Sequence, residues 1–107
     1  MSAEACAVLV TAPDAETGAR LARQLVEERL VACANLLTGV RSIYRWEGEI
    51  EEAGEVLLVL KTGAGRLREV AARVKALHPY ALPEVVALPI VGGSRDYLDW
   101  LLAESSP

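Results

Sequence analysis

The stretch that decides the fold is CANLLTGVRSIYRWEGEIEEAGEVLLVLK, residues 33–61. Apolar residues recur at strand-like spacing on both sides of Gly48, which predicts two antiparallel arms joined by a turn at that glycine. Gly39 predicts a bulge in the first arm. Each arm would have about 13 residues and reach roughly 43 Å, more than twice the length of a usual strand. The hairpin should therefore project beyond a compact domain of this size.

The distal half of this hairpin is too apolar to stand in water alone. An isolated two-stranded ribbon is only marginally stable, and a single aromatic side chain can bury about 150 to 250 Å². The large apolar side chains here are Val40, Ile43, Tyr44, Trp46 and Ile50. Other copies of the chain are the predicted cover, and Arg41 and Arg45 are predicted to pair with glutamates of the hairpin or of a neighbour. The alternative is a monomer whose hairpin bends over its own core.

The segments that flank the hairpin complete one small domain. The predicted elements are a central strand over 5–11, a helix over 14–29, a helix over 67–77, a strand over 84–88 with Pro89 suited to an edge, and a short helix capped by Ser94. This order predicts an α+β fold, a ferredoxin-like βαββαβ sandwich with an extended hairpin and an extra C-terminal helix. A chain of 107 residues fits a single domain over 1–107.

Composition excludes several classes of protein. The formal net charge is −4, whereas a protein that binds nucleic acid through its phosphates needs a basic face. No apolar run approaches the roughly 20 residues that cross a bilayer, and no leader pattern precedes the first strand, so a cytoplasmic location without membrane contact is expected. Gln24 and Asn35 are the only side-chain amides, a shortage typical of heat-adapted proteins.

The residues able to carry chemistry are few. The soft ligands for copper are Met1, Cys6, Cys33 and His78. Both cysteines are predicted to be buried thiols that fill space in strands, and His78 is predicted to cap a helix end. A single histidine, with no GxSxG and no phosphate-binding loop, argues against an enzyme. A second set, Lys61, Glu84 and Tyr97, is predicted either to converge as a polar binding site or to form a structural ion pair at the end of the sheet.

Five blocks of the sequence together resemble the divalent-cation tolerance family, the CutA proteins. The blocks are TAPD, ERLVACANLL, SIYRWEGEIEEAGEVLLVLKT, HPYALPEVVALPI and DYLDWL; they occur in this order, and the resemblance extends from Ala5 to Leu102. The resemblance implies a ferredoxin-like subunit in a tight homotrimer joined through the long hairpins. It also implies a cytoplasmic location in bacteria and a link to copper and other divalent metals.

The resemblance further implies a pocket near the subunit junctions. The matching residues here are Cys33, Trp46, Glu47, Lys61, His78, Tyr80, Glu84, Tyr97 and Trp100. Some relatives linked to copper carry a cysteine just before TAP and a second histidine just before HPY, where this chain has Val10 and Leu77. Of that copper set only His78 is retained, so copper binding through those particular ligands is not expected.

Three functional hypotheses follow. The first is a non-enzymatic, homotrimeric metal-response protein that binds copper or other divalent cations weakly through Cys33, His78 and Glu84, with no firmly held cofactor. The second is a signalling module similar to the PII regulators, which would bind a small anionic effector between subunits near Lys61 and Tyr97. The third is a stable scaffold whose pocket is only structural, with its aromatic residues serving as interface and core packing.

Overall fold

Four strands and three helices form the α+β fold that the sequence predicts, and the computed structural model describes residues 3–107. The elements are β1 (Ala5–Ala12), α1 (Ala15–Glu27), β2 (Cys33–Trp46), β3 (Glu49–Gly63), α2 (Leu67–Leu77), β4 (Val86–Ile90) and α3 (Arg95–Glu104), with a single 3₁₀ turn at Ala64–Arg66. The strands lie in the order β2-β3-β1-β4, and every neighbouring pair is antiparallel. The predicted βαββαβ order and the central position of β1 are confirmed.

The main core lies between one face of the sheet and helices α1 and α2. Its centre is fully buried and consists of Val8 and Val10 on β1, Leu58 on β3, Leu25 on α1 and Val74 on α2. The alternate residues of β1 and β3 point to the other face and are only partly buried. A second, smaller cluster centred on α3 covers one end of that other face. Helices therefore cover one face of the four-stranded part of the sheet, and the opposite face only at one end.

Helix starts follow the capping chemistry of the sequence. The Asp14 carboxylate accepts a hydrogen bond of 2.7 Å from the Thr17 N–H, and this bond holds the pKa of Asp14 below its usual value. Ser94 accepts from the Tyr97 N–H at the start of α3, as predicted. Helix α2 ends where His78 turns to an extended backbone.

Two arginines hold the helices in place, and neither contact is apparent from the sequence. Arg73 donates to both carboxylate oxygens of Glu28, each at 2.8 Å, and these bonds lower the pKa of Glu28 to about 2. Arg29 has a left-handed backbone, with φ of 60°. Its guanidinium donates to the carbonyl oxygens of Ala103 and Ser106 at 3.0 and 2.9 Å, which ties the end of α3 to the loop after α1.

The hairpin has the predicted length, turn and bulge. Strands β2 and β3 have 14 and 15 residues, and their register shifts around Gly39, which has φ of 77°. Glu47 and Gly48 form the two-residue turn, with φ of 50° and 81°, as the type I′ geometry of tight hairpins requires. The predicted ion pair of Arg41 is present, with Nε 3.2 Å from a carboxylate oxygen of Glu52.

Gly48→Ala is expected to lower the free energy of unfolding by about 1 to 2 kcal/mol, because an L side chain is strained at a left-handed φ. Gly54 supplies the matched control: it lies in β3 with φ outside the left-handed range, and an added Cβ would meet no atom within 4 Å. Gly54→Ala should change stability by less than about 0.5 kcal/mol. Urea unfolding at one protein concentration measures both, and equal effects would contradict the turn assignment.

The distal hairpin does not fold back over the core of its own chain. Ile43 and Ile50 are 66% and 62% exposed, and Tyr44 and Trp46 are both 44% exposed. The longest dimension of the chain is 44 Å, along which this ribbon extends. The alternative of a hairpin bent over its own core is thus not what the single chain adopts.

The last strand is shifted from its predicted position. It begins at Val86, the first residue paired with β1, and not at Glu84; it then continues to Ile90. Pro89 lies inside the strand and not beyond its end, which is tolerated because β4 is an edge with β1 as its one neighbour. Within residues 3–107, no helix combines the length and apolar character needed to span a bilayer.

Candidate functional site

The face of the sheet turned away from α1 and α2 is apolar, and we call its uncovered part the open face. It is made of the residues that alternate with the core positions of the four strands. The apolar members are Ala7, Leu9, Leu37, Leu57, Val59, Val86 and Leu88. Candidate site residues lie at both ends of this face, in two separate groups.

The first group lies under α3 and contains four of the predicted residues. The Lys61 ammonium donates to the Tyr97 hydroxyl at 3.1 Å and lies 5.4 Å from the centre of that ring. The Cys33 Sγ is 3.5 Å from the same hydroxyl, and the Trp100 ring packs on Tyr97 at 5.5 Å. The hydrogen bond to Tyr97 raises the pKa of Lys61. Lys61 is therefore a persistent cation and not a nucleophilic amine.

The second group lies at the opposite end, where the hairpin leaves the sheet. A groove of about 650 Å³ opens there between the distal hairpin and the segment 80–84. Trp46, Tyr80 and Glu84 are among its lining residues, whereas Glu47 occupies the hairpin turn and does not line it. The prediction that Glu84 converges with Lys61 and Tyr97 is wrong for the single chain, because Glu84 precedes the start of β4 at the far end.

His78 is buried with both ring nitrogens engaged. Its Nδ1 accepts from the Tyr80 N–H at 3.1 Å, which assigns the ring proton to Nε2, and Nε2–H donates to the Thr11 carbonyl oxygen at 2.7 Å. His78 is the C-cap residue of α2, as predicted, and its backbone N–H donates to the Val74 carbonyl oxygen at 2.8 Å; its ring bonds to a strand carbonyl of β1 and not to the helix end. In this arrangement neither nitrogen has a lone pair free for a metal.

The two cysteines differ in their surroundings. Cys6 is buried, and burial raises the pKa of its thiol. Cys33 is only partly buried, so the prediction of two buried thiols is correct for Cys6 and wrong for Cys33. The reason is register, since Cys33 pairs with Lys61 and both side chains point away from the core. Met1 lies outside the described residues.

The predicted metal ligands are not brought together within one chain. Cys33 pairs with Lys61, which in turn pairs with Ala7 on β1, whereas His78 bonds to Thr11 on the same strand. Ala7 and Thr11 are four residues apart, which corresponds to roughly 13 Å along a strand. Glu84 lies at the His78 end. Among the described residues, no three side chains of the His, Cys, Asp and Glu types are close enough to hold a metal ion. A site built from these ligands would need donors from more than one copy.

Most lining residues of the groove were not predicted as part of a site. Glu55 accepts a hydrogen bond of 2.8 Å from the Tyr80 hydroxyl, and Thr11 and Tyr44 also line the groove. The bulge at Gly39 places Val40 opposite Glu55, so this glutamate shares a face with Tyr44 and Trp46. If the bulge is included in the hairpin register, the sequence predicts that Glu55 lies on the same face as Tyr44 and Trp46.

Comparison with known proteins gives a consistent result. The family model of the CutA1 divalent ion tolerance protein matches residues 6–104. The divalent-cation tolerance protein CutA of Thermus thermophilus is 54% identical over 94 residues, which cover 88% of this chain and 91% of that protein. The chloroplastic protein CutA of Arabidopsis thaliana is 47% identical over 94 residues; these cover 88% of this chain but 52% of the plant protein, so the chain spans about half its length.

Solved structures agree with the sequence comparison. The divalent cation tolerance protein of Thermus thermophilus superposes with a TM-score of 0.92 at 50% identity, covering 95% of this chain and 99% of that one. CutA1 from Oryza sativa gives 0.92 at 42% identity, covering 99% and 96%. The Archaeoglobus fulgidus protein, described as a periplasmic divalent cation tolerance protein, gives 0.92 at 36%, covering 95% and 99%. On the family match and these identities, the chain belongs to the CutA1 divalent ion tolerance family.

Proposed function

We propose that the chain acts as a cytoplasmic homotrimer that confers tolerance to divalent cations, copper among them, by binding them weakly and without catalytic turnover. The observation that carries this proposal is the family match over residues 6–104. The Thermus thermophilus and Archaeoglobus fulgidus relatives are named for cation tolerance and not for a reaction. The second hypothesis, a PII-like signalling module, receives no support from these comparisons.

The open face supports the assembly. Leu37, Val86 and Leu88 on it are 46%, 50% and 49% exposed in the single chain. A soluble protein rarely leaves so continuous an apolar surface in water. A ring of three copies would turn the three open faces toward a shared axis, and a closed ring leaves no copy with an uncovered face. The exposed distal hairpins would be covered by the same association.

The cation contacts are proposed at Cys33, Glu84 and His78, contributed by more than one copy. Thiolate suits reduced copper, whereas carboxylate and imidazole suit oxidised copper and zinc. Cys33 and Glu84 have donor atoms to offer at the surface. His78 would first have to release Thr11 or Tyr80, so its participation costs hydrogen bonds, and weak affinity is the consequence.

Titration calorimetry with zinc and copper(II) tests the proposal. We expect saturable heat with the wild-type protein and an affinity at least about tenfold weaker in Cys33→Ser and in Glu84→Gln. Glu27→Gln is the matched control: it removes one exposed carboxylate of α1, on the side of the sheet opposite the proposed contacts, and should bind as the wild type does. Absence of saturable heat with either metal into the millimolar range would overturn the proposal, and an equal loss in all three variants would reject the named contacts.

A further inference from the structure

The Lys61 side chain places a positive charge beside the Cys33 thiol. In the strand ladder Lys61 pairs with Ala7 on β1 and with Cys33 on β2. Side chains of residues that pair in this way point to the same side of a sheet, so the ammonium and the thiol are neighbours. Among residues 3–107, no carboxylate lies within 4 Å of the ammonium. The charge of Lys61 is therefore not neutralised by an ion pair within the chain.

One oxygen atom fixes the ammonium relative to the thiol. The Tyr97 hydroxyl lies 3.1 Å from the Lys61 Nζ and 3.5 Å from the Cys33 Sγ. The Tyr97 ring, which lies 5.4 Å from Nζ, packs in turn on Trp100. These contacts join residues of one chain, and covering the open face with another copy would leave them in place. A metal ion at Cys33 would thus be bound next to a fixed positive charge.

Coordination to a thiol changes the local charge by an amount that depends on the ion. The ion replaces the thiol proton, which passes to the buffer, and a sulfur–metal bond replaces the sulfur–hydrogen bond. A divalent ion therefore adds one positive charge beside Lys61, whereas Cu(I) adds none. The ammonium repels the added charge, and the repulsion grows as water is excluded from the face. It lowers the affinity for a divalent ion and leaves the affinity for Cu(I) almost unchanged.

We propose that Lys61 acts as a charge filter at the Cys33 contact and favours Cu(I) over divalent cations. The filter rests on the proposed function, because Cys33 is one of its metal contacts; it adds the oxidation state of the copper and the residue that selects it. Thiolate is also the ligand type that Cu(I) prefers, so the sulfur and the ammonium discriminate in the same direction. Repulsion by Lys61 is a second cause of weak binding of divalent ions, besides the hydrogen bonds that His78 would lose.

Lys61→Gln tests the filter, because glutamine removes the charge and keeps a hydrogen-bond donor for Tyr97. Zinc affinity is measured by calorimetry on the full chain, and Cu(I) affinity by competition with bathocuproine disulfonate under anaerobic, reducing conditions. We expect zinc to bind at least about tenfold more tightly to Lys61→Gln than to the wild type, and the affinity for Cu(I) to change by less than about twofold. Lys61→Arg keeps the charge and should bind zinc as the wild type does.

Lys75 supplies the matched control, since it is the only other lysine and lies exposed on α2, on the opposite side of the sheet. Lys75→Gln should leave both affinities unchanged. Adding Cys33→Ser to Lys61→Gln should abolish the gain in zinc affinity, because the ammonium acts on an ion bound at the sulfur. A gain that persists without Cys33 would contradict the filter.

The remaining outcomes separate the filter from the proposed function. Equal zinc affinity in Lys61→Gln and the wild type would overturn the filter, while saturable binding by the wild type would still support the proposed function. Equal gains for zinc and Cu(I) would also overturn the filter, because a change of packing does not distinguish the charge of the ion. Zinc binding by Lys61→Gln alone would overturn the proposed function and support the filter. Absence of saturable binding by both proteins into the millimolar range would overturn both.

Discussion

Leu58→Ala is expected to lower the free energy of unfolding by about 2 to 5 kcal/mol. Leu58 is fully buried on β3 at the centre of the main core. Helix α1 approaches it so closely at Gly18 that a Cβ there would lie 3.2 Å from the leucine Cδ1. Backbone on both sides limits how far the structure can relax into the space left by the side chain, so most of the cavity would persist.

Leu77→Ala provides the comparison, because Leu77 ends α2 and is 37% exposed. Its loss should cost about 1 kcal/mol or less, since much of its side chain already contacts water. Urea unfolding must be measured at one protein concentration, because association of copies adds to apparent stability. Equal losses in the two variants would show that Leu58 does not lie at the centre of the core.

Val59→Asp is expected to convert the proposed trimer into single folded chains. Val59 lies in the middle of the open face, paired with Leu9 on β1 and Asn35 on β2. In a ring each copy would bring one carboxylate toward the same dry axis, and an unpaired buried charge costs several kcal/mol. Sedimentation velocity should change from three times the mass of the chain to one, with the circular dichroism of the folded protein retained.

Val26→Asp is the matched control for the assembly. Val26 is partly exposed on α1, on the side of the sheet opposite the open face. The same substitution there should leave the mass at three chains. A trimeric Val59→Asp would exclude the open face as the contact surface, and a wild-type protein that sediments as one chain would remove the assembly altogether.

The hairpin was predictable from the sequence because its determinants are local. Alternation of apolar residues, the glycines at the bulge and in the turn, and the length of the arms can all be read without knowing what packs elsewhere. The start of β4 was misplaced for the opposite reason. Nothing in its own residues distinguishes Glu84 from Val86, and the ladder begins where Leu9 on β1 provides a partner.

The candidate site likewise contains some contacts that are set locally and others that depend on packing distant in sequence. Cys33 and Lys61 lie side by side because of the hairpin register, which the sequence contains in principle. Tyr97 joins them only because α3 packs across the sheet, and that packing depends on contacts distant in sequence. The bond from His78 to the Thr11 carbonyl is equally non-local, and it changes a candidate ligand into a structural residue of the single chain.

The position of β1 has a consequence for how the chain is made. Strand β1 is synthesised before both of its neighbours in the sheet, β3 and β4, and the second of these is complete only when Ile90 has been made. The β2–β3 ribbon pairs residues near in sequence and can form earlier, whereas the pairing of β1 with β4 can form only after most of the chain has been translated. Ala5–Ala12 has no partner until β3 is made, and one edge of this apolar strand stays unpaired until β4 is made. Nascent chains that stall before β4 would therefore be the form of this protein most dependent on chaperones.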